Sequence, residues 1–171
     1  MPGTGKTTLA KNLASLIGAV VLSTDKIRKE IIIAKPTYTA QEIKLIYRIL
    51  LLLAKYLHDA GVNCILDGTF STENQRKALK KNLSLSQTQF YLVECICPQD
   101  ITISRLKKRK GDYSDADFSV YMKKKKMYQP VKEEHFIADT TKPQNITAKC
   151  IANQILKNRK DSKNDGQKGK G

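Results

Sequence analysis

The segment Met1-Pro2-Gly3-Thr4-Gly5-Lys6-Thr7-Thr8 contains the most informative motif of this chain. It matches all but the first position of the phosphate-binding pattern G-x-x-x-x-G-K-S/T. In that pattern the glycines turn backbone N–H groups toward anionic oxygens, the lysine reaches the β- and γ-phosphates, and the hydroxyl helps to hold Mg²⁺. A glycine-rich turn that caps a helix would explain the glycines but not the residues that follow them. We therefore predict an ATP site that contains the catalytic cation Lys6 and the metal ligand Thr7, formed by Gly3, Thr4, Gly5, Lys6, Thr7 and Thr8.

The first glycine of the pattern, and the buried strand that usually delivers the loop, would both precede Met1. We therefore expect a chain that is truncated at its N-terminus and lacks the first, central strand of its sheet. Because neighbouring strands lie about 4.8 Å apart, this loss would leave a gap of about 10 Å between the strands that end at Asp67 and Cys95. We therefore expect either an empty strand position between these two strands or a sheet in which the two strands have moved together.

Composition bounds the class of protein. A length of 171 residues suits one domain, and the longest apolar run, Ile49 to Ala54, is too short to cross a membrane. The four cysteines are scattered and predict reduced thiols in a cytoplasmic protein. A net charge of +15 permits a polyanionic partner but does not establish one.

Apolar, β-branched segments alternate with helical patterns along the chain. We predict strands at 19–23, 62–67, 89–95 and 136–139. We also predict one helix that starts at Thr8 and six further helices, at about 26–34, 40–60, 72–83, 98–109, 115–128 and 146–156. This alternation predicts an α/β fold with a mostly parallel sheet that is covered on both faces. We expect one domain over residues 1–156 and a disordered basic tail over 157–171.

Asp67 is the predicted metal-side acid, because it ends an apolar strand and would share Mg²⁺ with Thr7. The alternative is that Asp67 only caps the turn with Gly68. A glycine at position 68, where many ATP-hydrolysing motors carry a water-activating Glu, favours transfer to an acceptor over hydrolysis.

Asp25 and Arg28 follow the strand 19–23 and are one helical turn apart. A carboxylate near the γ-phosphate can take the proton of an acceptor hydroxyl, and the arginine could bind a polar or anionic group of the substrate. The alternative is a helix-capping Asp25 and a solvated Arg28, and the spacing alone leaves both open.

Arg105 and Arg109 lie four residues apart on the helix that enters a polar turn. They could clamp the phosphates of ATP from a lid at about residues 105–128, with Arg109 stabilising the charge that develops during transfer. The alternative is an exposed basic helix end that the helix dipole favours.

These motifs resemble a known family in their order along the chain: residues 1–8, Ser23-Thr24-Asp25-Lys26-Ile27-Arg28, Leu66-Asp67-Gly68-Thr69-Phe70, 105–109 and Ser114-Asp115-Ala116-Asp117. The chain resembles ATP-dependent kinases with an AAA-type P-loop domain, related to polynucleotide 5′-kinases, gluconate kinases and zeta toxins. The resemblance implies a three-layer P-loop kinase fold with strand order 2-3-1-4-5 and an adenine site near residues 140–143. It also implies that Asp25 is the general base, Arg28 a substrate contact, Asp67 the metal-side acid and Arg109 the lid arginine, with Arg105 the weaker candidate.

Our leading hypothesis is a cytoplasmic kinase that uses ATP and Mg²⁺. It would move the γ-phosphate to a hydroxyl of a small molecule or of a nucleic-acid 5′ end, without a membrane and with no indication of an obligate protein partner. The alternative is an ATP-binding or RNA-binding module that has no transfer activity.

Overall fold

The computed structural model describes residues 1–34, 36–85, 89–108 and 116–168, with backbone alone from 162. Seven helices and four strands lie in these ranges. The helices are α1 (Lys6–Ile17), α2 (Thr24–Ile31), α3 (Ala40–Asp59), α4 (Glu73–Leu83), α5 (Gln99–Lys108), α6 (Phe118–Met127) and α7 (Gln144–Lys168). The strands are β1 (Ala19–Ser23), β2 (Asn63–Asp67), β3 (Val93–Ile96) and β4 (Phe136–Asp139).

All strand pairing in the described part of the chain is parallel, as the alternation of helices and strands predicts. β1 pairs with β2 in a register that sets Ser23 opposite Asp67. β3 pairs with β4 in a register that sets Val93 opposite Phe136. The α/β class and both pairs of neighbouring strands are therefore as expected.

The two pairs form separate sheets, because no ladder joins β2 to β3 within the described residues. A cavity of ≈ 240 Å³ lies between them. Its walls include β2, residues of β3 and the apolar face of α1 that carries Leu9 and Leu13. The expected separation of these two strands is observed.

The apolar core divides in the same way as the sheet. One cluster joins α1 to α7 and is made by Leu9, Leu13, Ala138, Ala148, Ile151, Ala152 and Ile155. The other joins α2 to α3 through Ile27, Ile46 and Leu50. Each fully buried Leu or Ile contributes about 2 kcal/mol to the free energy of folding. These contacts therefore fix α1 and α2 next to the carboxyl ends of the strands.

Several element ends differ from the predicted ones. β3 covers only Val93–Ile96, since residues 90–92 are not part of a strand, and α2 begins at Thr24 directly after β1. The cap of α6 is Asp117, whose Oδ1 accepts from the backbone N–H of Val120 at 2.9 Å. The predicted start of this helix, residue 115, lies outside the described residues.

The final helix is longer than predicted. α7 runs to Lys168, past the expected end near residue 156. The disorder expected for residues 157–171 stays a prediction. Residues 157–168 contain four lysines, which favour helix, and no proline that would end it. No helix in the described part of the chain is long and apolar enough to span a membrane.

Candidate nucleotide and acceptor site

The loop before α1 has the backbone that its glycines predict. Gly3 and Gly5 both adopt φ of 76°, in the left-handed region that other residues rarely enter. Gly5 is the N-cap of α1, and its carbonyl accepts from Leu9 N at 3.1 Å. The loop therefore ends on the positive end of a helix of 12 residues, where backbone N–H groups and the helix dipole favour an anion.

Neighbouring elements leave no room for side chains at these glycines. A Cβ on Gly3 would lie 2.9 Å from Leu106 and from Thr102 of α5. A Cβ on Gly5 would lie 2.6 Å from the Gln144 side chain, at the start of α7. The loop is thus wedged between α5 and the segment that follows β4.

Lys6 and Thr4 fold back onto the start of the loop. Lys6 Nζ donates to the Met1 carbonyl at 2.5 Å, and the buried Thr4 hydroxyl donates to the same oxygen at 2.8 Å. Thr8 is exposed on the first turn of α1. The ammonium of Lys6 is therefore held against the start of the loop.

Thr7 and Asp67 meet at the edge of the β1–β2 sheet. The Thr7 hydroxyl donates to Asp67 Oδ2 at 2.7 Å, and Asp67 is buried at the carboxyl end of β2. A hydroxyl and a carboxylate are hard oxygen donors, and Mg²⁺ commonly takes one or two such ligands together with phosphate oxygens and water. The described residues contain no cluster of three or more His, Cys, Asp or Glu that could hold a metal by itself. The donor set fits a Mg²⁺ that arrives with a nucleotide.

Asp25 lies at the same edge, because its position follows from the register of β1. Ser23 is opposite Asp67, and the Thr24 hydroxyl donates to the Asp67 carbonyl at 3.4 Å. The Asp25 side chain is 36% exposed, so it faces the solvent side of this edge. The structure therefore brings Thr7 and Asp67 into contact and sets Asp25 two residues beyond the paired strand end.

Arg28 is a buried partner of two carboxylates. Its Nη1 donates to Asp25 Oδ1 at 3.0 Å and its Nε donates to Glu42 Oε1 at 3.0 Å. The ring of Tyr38 covers the guanidinium, with Cζ 4.7 Å from the ring centroid. Neither a solvated arginine nor a freely offered substrate contact describes this geometry. Sequence reasoning missed Glu42, although Thr39-Ala40-Gln41-Glu42 matches the T-x-x-E pattern of a helix start and Thr39 caps α3.

Tyr47 ties this cluster to the segment after β2. Its hydroxyl donates to the Thr69 carbonyl at 2.9 Å, and its ring packs edge-to-face on Phe70. Burial raises the pKa of Tyr47 to about 12, and the charges of Arg28 and Asp25 act on it in opposite directions. Tyr47 therefore stays a neutral donor that holds the Thr69–Phe70 segment next to Asp25.

The two arginines predicted to clamp the phosphates have different outcomes. Arg105 donates to the Thr140 carbonyl at 2.7 Å and to its hydroxyl at 3.1 Å, and it also contacts Cys97. It thereby fixes the segment after β4 that packs against Gly5. Arg109, the predicted catalytic lid arginine, lies outside the described residues, as does part of the predicted lid.

Arg76 of α4 is a second buried arginine that the sequence did not single out. It donates to the backbone carbonyls of Phe70, Gln129 and Pro130 at 3.2, 3.2 and 3.0 Å. Its Nε lies 3.5 Å from Glu133. These contacts join the segment after Asp67 to the segment before β4, so Arg76 shapes the floor beside the candidate site.

Comparisons with known proteins identify the family of this chain. The family model described as "AAA domain" matches residues 1–131. An uncharacterised protein of Mycobacterium tuberculosis (strain ATCC 25618 / H37Rv) is 31% identical over 126 residues, which are 67% of this chain and 25% of that protein. The chain thus spans about a quarter of the length of the curated relatives it matches.

Two solved structures share the fold at low sequence identity. A sugar kinase from Janibacter sp. HTCC2649 has a TM-score of 0.68 and 18% identity, with 87% of this chain and 86% of that chain covered. The APS kinase of Mycobacterium tuberculosis, solved with AMPPNP and APS, has a TM-score of 0.69 and 18% identity, with coverage of 92% and 93%. The chain belongs to the AAA domain family and has the fold of the P-loop kinases.

Proposed function

We propose that this chain is an ATP-dependent phosphotransferase that moves the γ-phosphate of ATP to a hydroxyl group. The acceptor would be a small molecule or a nucleic-acid 5′ end. The observation that carries this proposal is the 2.7 Å hydrogen bond between the Thr7 hydroxyl and Asp67. It brings the phosphate-binding loop and the strand-end acid together at the edge where parallel sheets bind ligands.

The phosphates of ATP would bind to the backbone N–H groups of residues 3–7 and to the Lys6 ammonium. Thr7 and Asp67 would hold Mg²⁺, which when bound supplies charge neutralisation at the phosphate oxygens. Arg105 contributes indirectly, because it positions Thr140 beside the loop, where the adenine site is expected. Arg109 remains the expected cation over the transferring group.

The reaction needs a base for the acceptor, and Asp25 is the partly exposed carboxylate at this edge. Asp25 would take the proton of the acceptor hydroxyl as its oxygen forms a bond to the γ-phosphorus. The bond from the γ-phosphorus to the bridging oxygen breaks, and ADP leaves with that oxygen. The proton returns to solvent from Asp25.

A screen for acceptor-dependent ADP formation tests the proposal. The wild-type chain, Lys6→Ala and Asp25→Asn are compared with ATP, Mg²⁺ and a library of sugars, nucleosides and 5′-hydroxyl oligonucleotides. We expect one acceptor class to stimulate ADP formation in the wild type and neither variant to respond. Lys11→Ala, an exposed lysine on the same helix as Lys6, is the matched control and should keep full activity.

The competing function is nucleotide binding without transfer. It predicts saturable ATP binding that depends on Lys6, together with no product from any acceptor in the library. Equal ADP formation by the wild type and Asp25→Asn would remove Asp25 from its role while leaving nucleotide binding intact.

A further inference from the structure

Glu42 is a buried carboxylate with a full set of partners. One oxygen, Oε1, accepts from Arg28 Nε at 3.0 Å. The other, Oε2, accepts from the backbone and hydroxyl of Thr37 at 2.7 and 2.8 Å and from Tyr38 N at 3.1 Å. Its side chain is only 7% exposed. Four donors therefore fix one carboxylate, which in turn fixes one arginine.

The loop before α3 is shaped to make this arrangement. Tyr38 has φ of 55°, a left-handed conformation that is costly for a residue with a side chain. That conformation lets its N–H reach Glu42 while its ring lies over the Arg28 guanidinium. The loop thus closes the face of Arg28 that would otherwise be open to a ligand.

The three charged side chains of this cluster differ in exposure to solvent. Glu42 and Arg28 are buried, whereas Asp25 is partly exposed at the other end. One guanidinium faces two carboxylates, so the cluster carries a net charge of −1. The positive charge of Arg28 is already neutralised before any acceptor arrives.

We propose that Glu42 is a positioning residue of the acceptor site and that its ion pair with Arg28 makes the site select uncharged hydroxyl acceptors over anionic ones. Glu42 holds Arg28 against Asp25, and Arg28 holds the Asp25 carboxylate in one place. Arg28 is then a structural cation and not the anion contact that the resemblance implied. This inference rests on the proposed function for the role of Asp25, but the geometry of Arg28 can be tested without turnover.

The first test uses the Nε–Hε signal of Arg28 in ¹⁵N-labelled protein, assigned with Arg28→Lys. Wild type, Glu42→Gln and Glu30→Gln are titrated with inorganic phosphate at constant ionic strength. Glu30 is the matched control, since it lies on the same helix as Arg28 and its side chain is 62% exposed in an ion pair with Lys26. In wild type and Glu30→Gln we expect the Arg28 signal not to move with phosphate.

In Glu42→Gln the Arg28 signal should shift as phosphate is added, because an unpaired guanidinium forms strong hydrogen bonds with an oxyanion. The apparent Kd for phosphate should be at least about tenfold lower than the limit that the wild-type titration sets. A wild-type signal that titrates as readily as that of Glu42→Gln would overturn the proposal. So would a Glu42→Gln signal that behaves as in wild type. If Glu42→Gln gives no dispersed spectrum, the wild-type titration decides alone, since phosphate binding at Arg28 contradicts the proposal.

The second test compares acceptors that differ only by an anionic group. Adenosine is paired with adenosine 3′-monophosphate, which keeps the 5′-hydroxyl as the acceptor. Wild type should prefer the uncharged member by about tenfold in kcat/KM, and Glu42→Gln should reduce that preference while lowering kcat for the uncharged member. If Glu42 had only a structural role, Glu42→Gln would lower kcat/KM equally for the uncharged and the anionic acceptor. That result would contradict a role of Glu42 in acceptor selection.

The two tests separate failure of the inference from failure of the proposed function. Product formation with a wild-type preference for the anionic members would overturn the inference and leave the phosphotransferase standing. An absence of product from every acceptor, with Arg28 signals as expected, would overturn the phosphotransferase and retain the Glu42–Arg28 arrangement.

Discussion

The Thr7 hydroxyl donates to Asp67 at 2.7 Å, although the two residues are 60 positions apart in the sequence. One belongs to the first turn of α1 and the other ends β2, so the contact joins the phosphate-binding loop to the sheet edge. Asp67 is held from its other side by Thr24, whose hydroxyl donates to the Asp67 carbonyl. This pair is the centre of the candidate site.

The Thr7–Asp67 pair should matter for catalysis through its oxygen atoms. Thr7→Val keeps the shape of the side chain but removes the hydroxyl, so we expect kcat/KM to fall about 100-fold, as for loss of one group that stabilises transition-state charge. Thr7→Ser keeps the hydroxyl and should stay within about threefold of wild type. Steady-state kinetics over a range of Mg²⁺ concentrations measure both, and equal activity of the Val and Ser variants would contradict the assignment.

Gly3 should tolerate no side chain. Gly3→Ala imposes φ of 76° on a residue with a Cβ and sets that atom 2.9 Å from Leu106 and Thr102, so it combines strain with overpacking. Gly18→Ala is the matched control, because Gly18 has φ of 61° and nothing within 4 Å of the added atom. We expect about 1–2 kcal/mol of destabilisation for Gly18→Ala and a further 1–3 kcal/mol for Gly3→Ala.

Urea unfolding measures the difference between these two variants. A Gly3→Ala variant no less stable than Gly18→Ala would mean that the loop is not packed against α5. The same variant should lose ATP binding, because the loop must move to admit the methyl group.

Arg76 should be a determinant of stability. Arg76→Met removes the donor to three backbone carbonyls and leaves Glu133 without its buried partner. Because the Glu133 side chain is 33% exposed, the cost comes mainly from the carbonyls that lose their donor, about 1–3 kcal/mol in the free energy of unfolding. Lys81→Ala, an exposed substitution on the same helix, should stay within about 0.5 kcal/mol of wild type. The denaturant midpoints of the two variants measure this difference in stability. Equal midpoints would contradict the role of Arg76 in joining these two segments.

Glu42 should make stability depend on pH in the acidic range. Desolvation alone would raise the pKa of Glu42, but the Thr37 side chain, the backbone N–H groups of Thr37 and Tyr38, and the Arg28 charge together lower it below 4.5. A carboxylate with a lowered folded pKa stabilises the protein above its unfolded pKa, and this contribution is lost as the pH falls through the folded pKa.

The stability difference between wild type and Glu42→Gln should therefore be largest near neutral pH and should shrink below pH 4.5. Unfolding midpoints measured from pH 7 to pH 3 test this. A difference that stays constant over this range would show that the ionisation of Glu42 is not coupled to folding.

The sequence predicts the parts of the site that depend on short-range patterns. Thr7 and Asp67 were assigned to one site because a glycine loop and a strand-end acid have fixed positions in a parallel sheet. β1 and β4 were predicted at their observed ends, since each is a short apolar run bounded by turn residues. These features need only local backbone geometry and the parallel order of strands.

The features of the site that the sequence did not predict depend on side-chain contacts, and the helix and strand periodicities of the sequence do not reveal these contacts. Glu42 accepts from Arg28 with one oxygen and from Tyr38 N with the other, and Tyr38 has a left-handed conformation that the sequence pattern does not reveal. Arg105 reads as a free cation at a helix end, but its partner Thr140 is 35 residues away. Side-chain partners across loops follow from packing, and the sequence pattern contains the residues without their pairing.

The transfer of a labelled γ-phosphate separates a phosphotransferase from an ATPase and from a domain that only binds nucleotide. Wild type and Asp25→Asn are mixed with γ-³²P-labelled ATP, Mg²⁺ and the acceptor found by the screen, and label on the acceptor is separated from inorganic phosphate in a single turnover. We predict that wild type transfers the label to the acceptor and that Asp25→Asn binds ATP normally but transfers about 100-fold or more slowly. Release of the label as inorganic phosphate at one rate with or without acceptor, or equal transfer by the two proteins, would contradict the account.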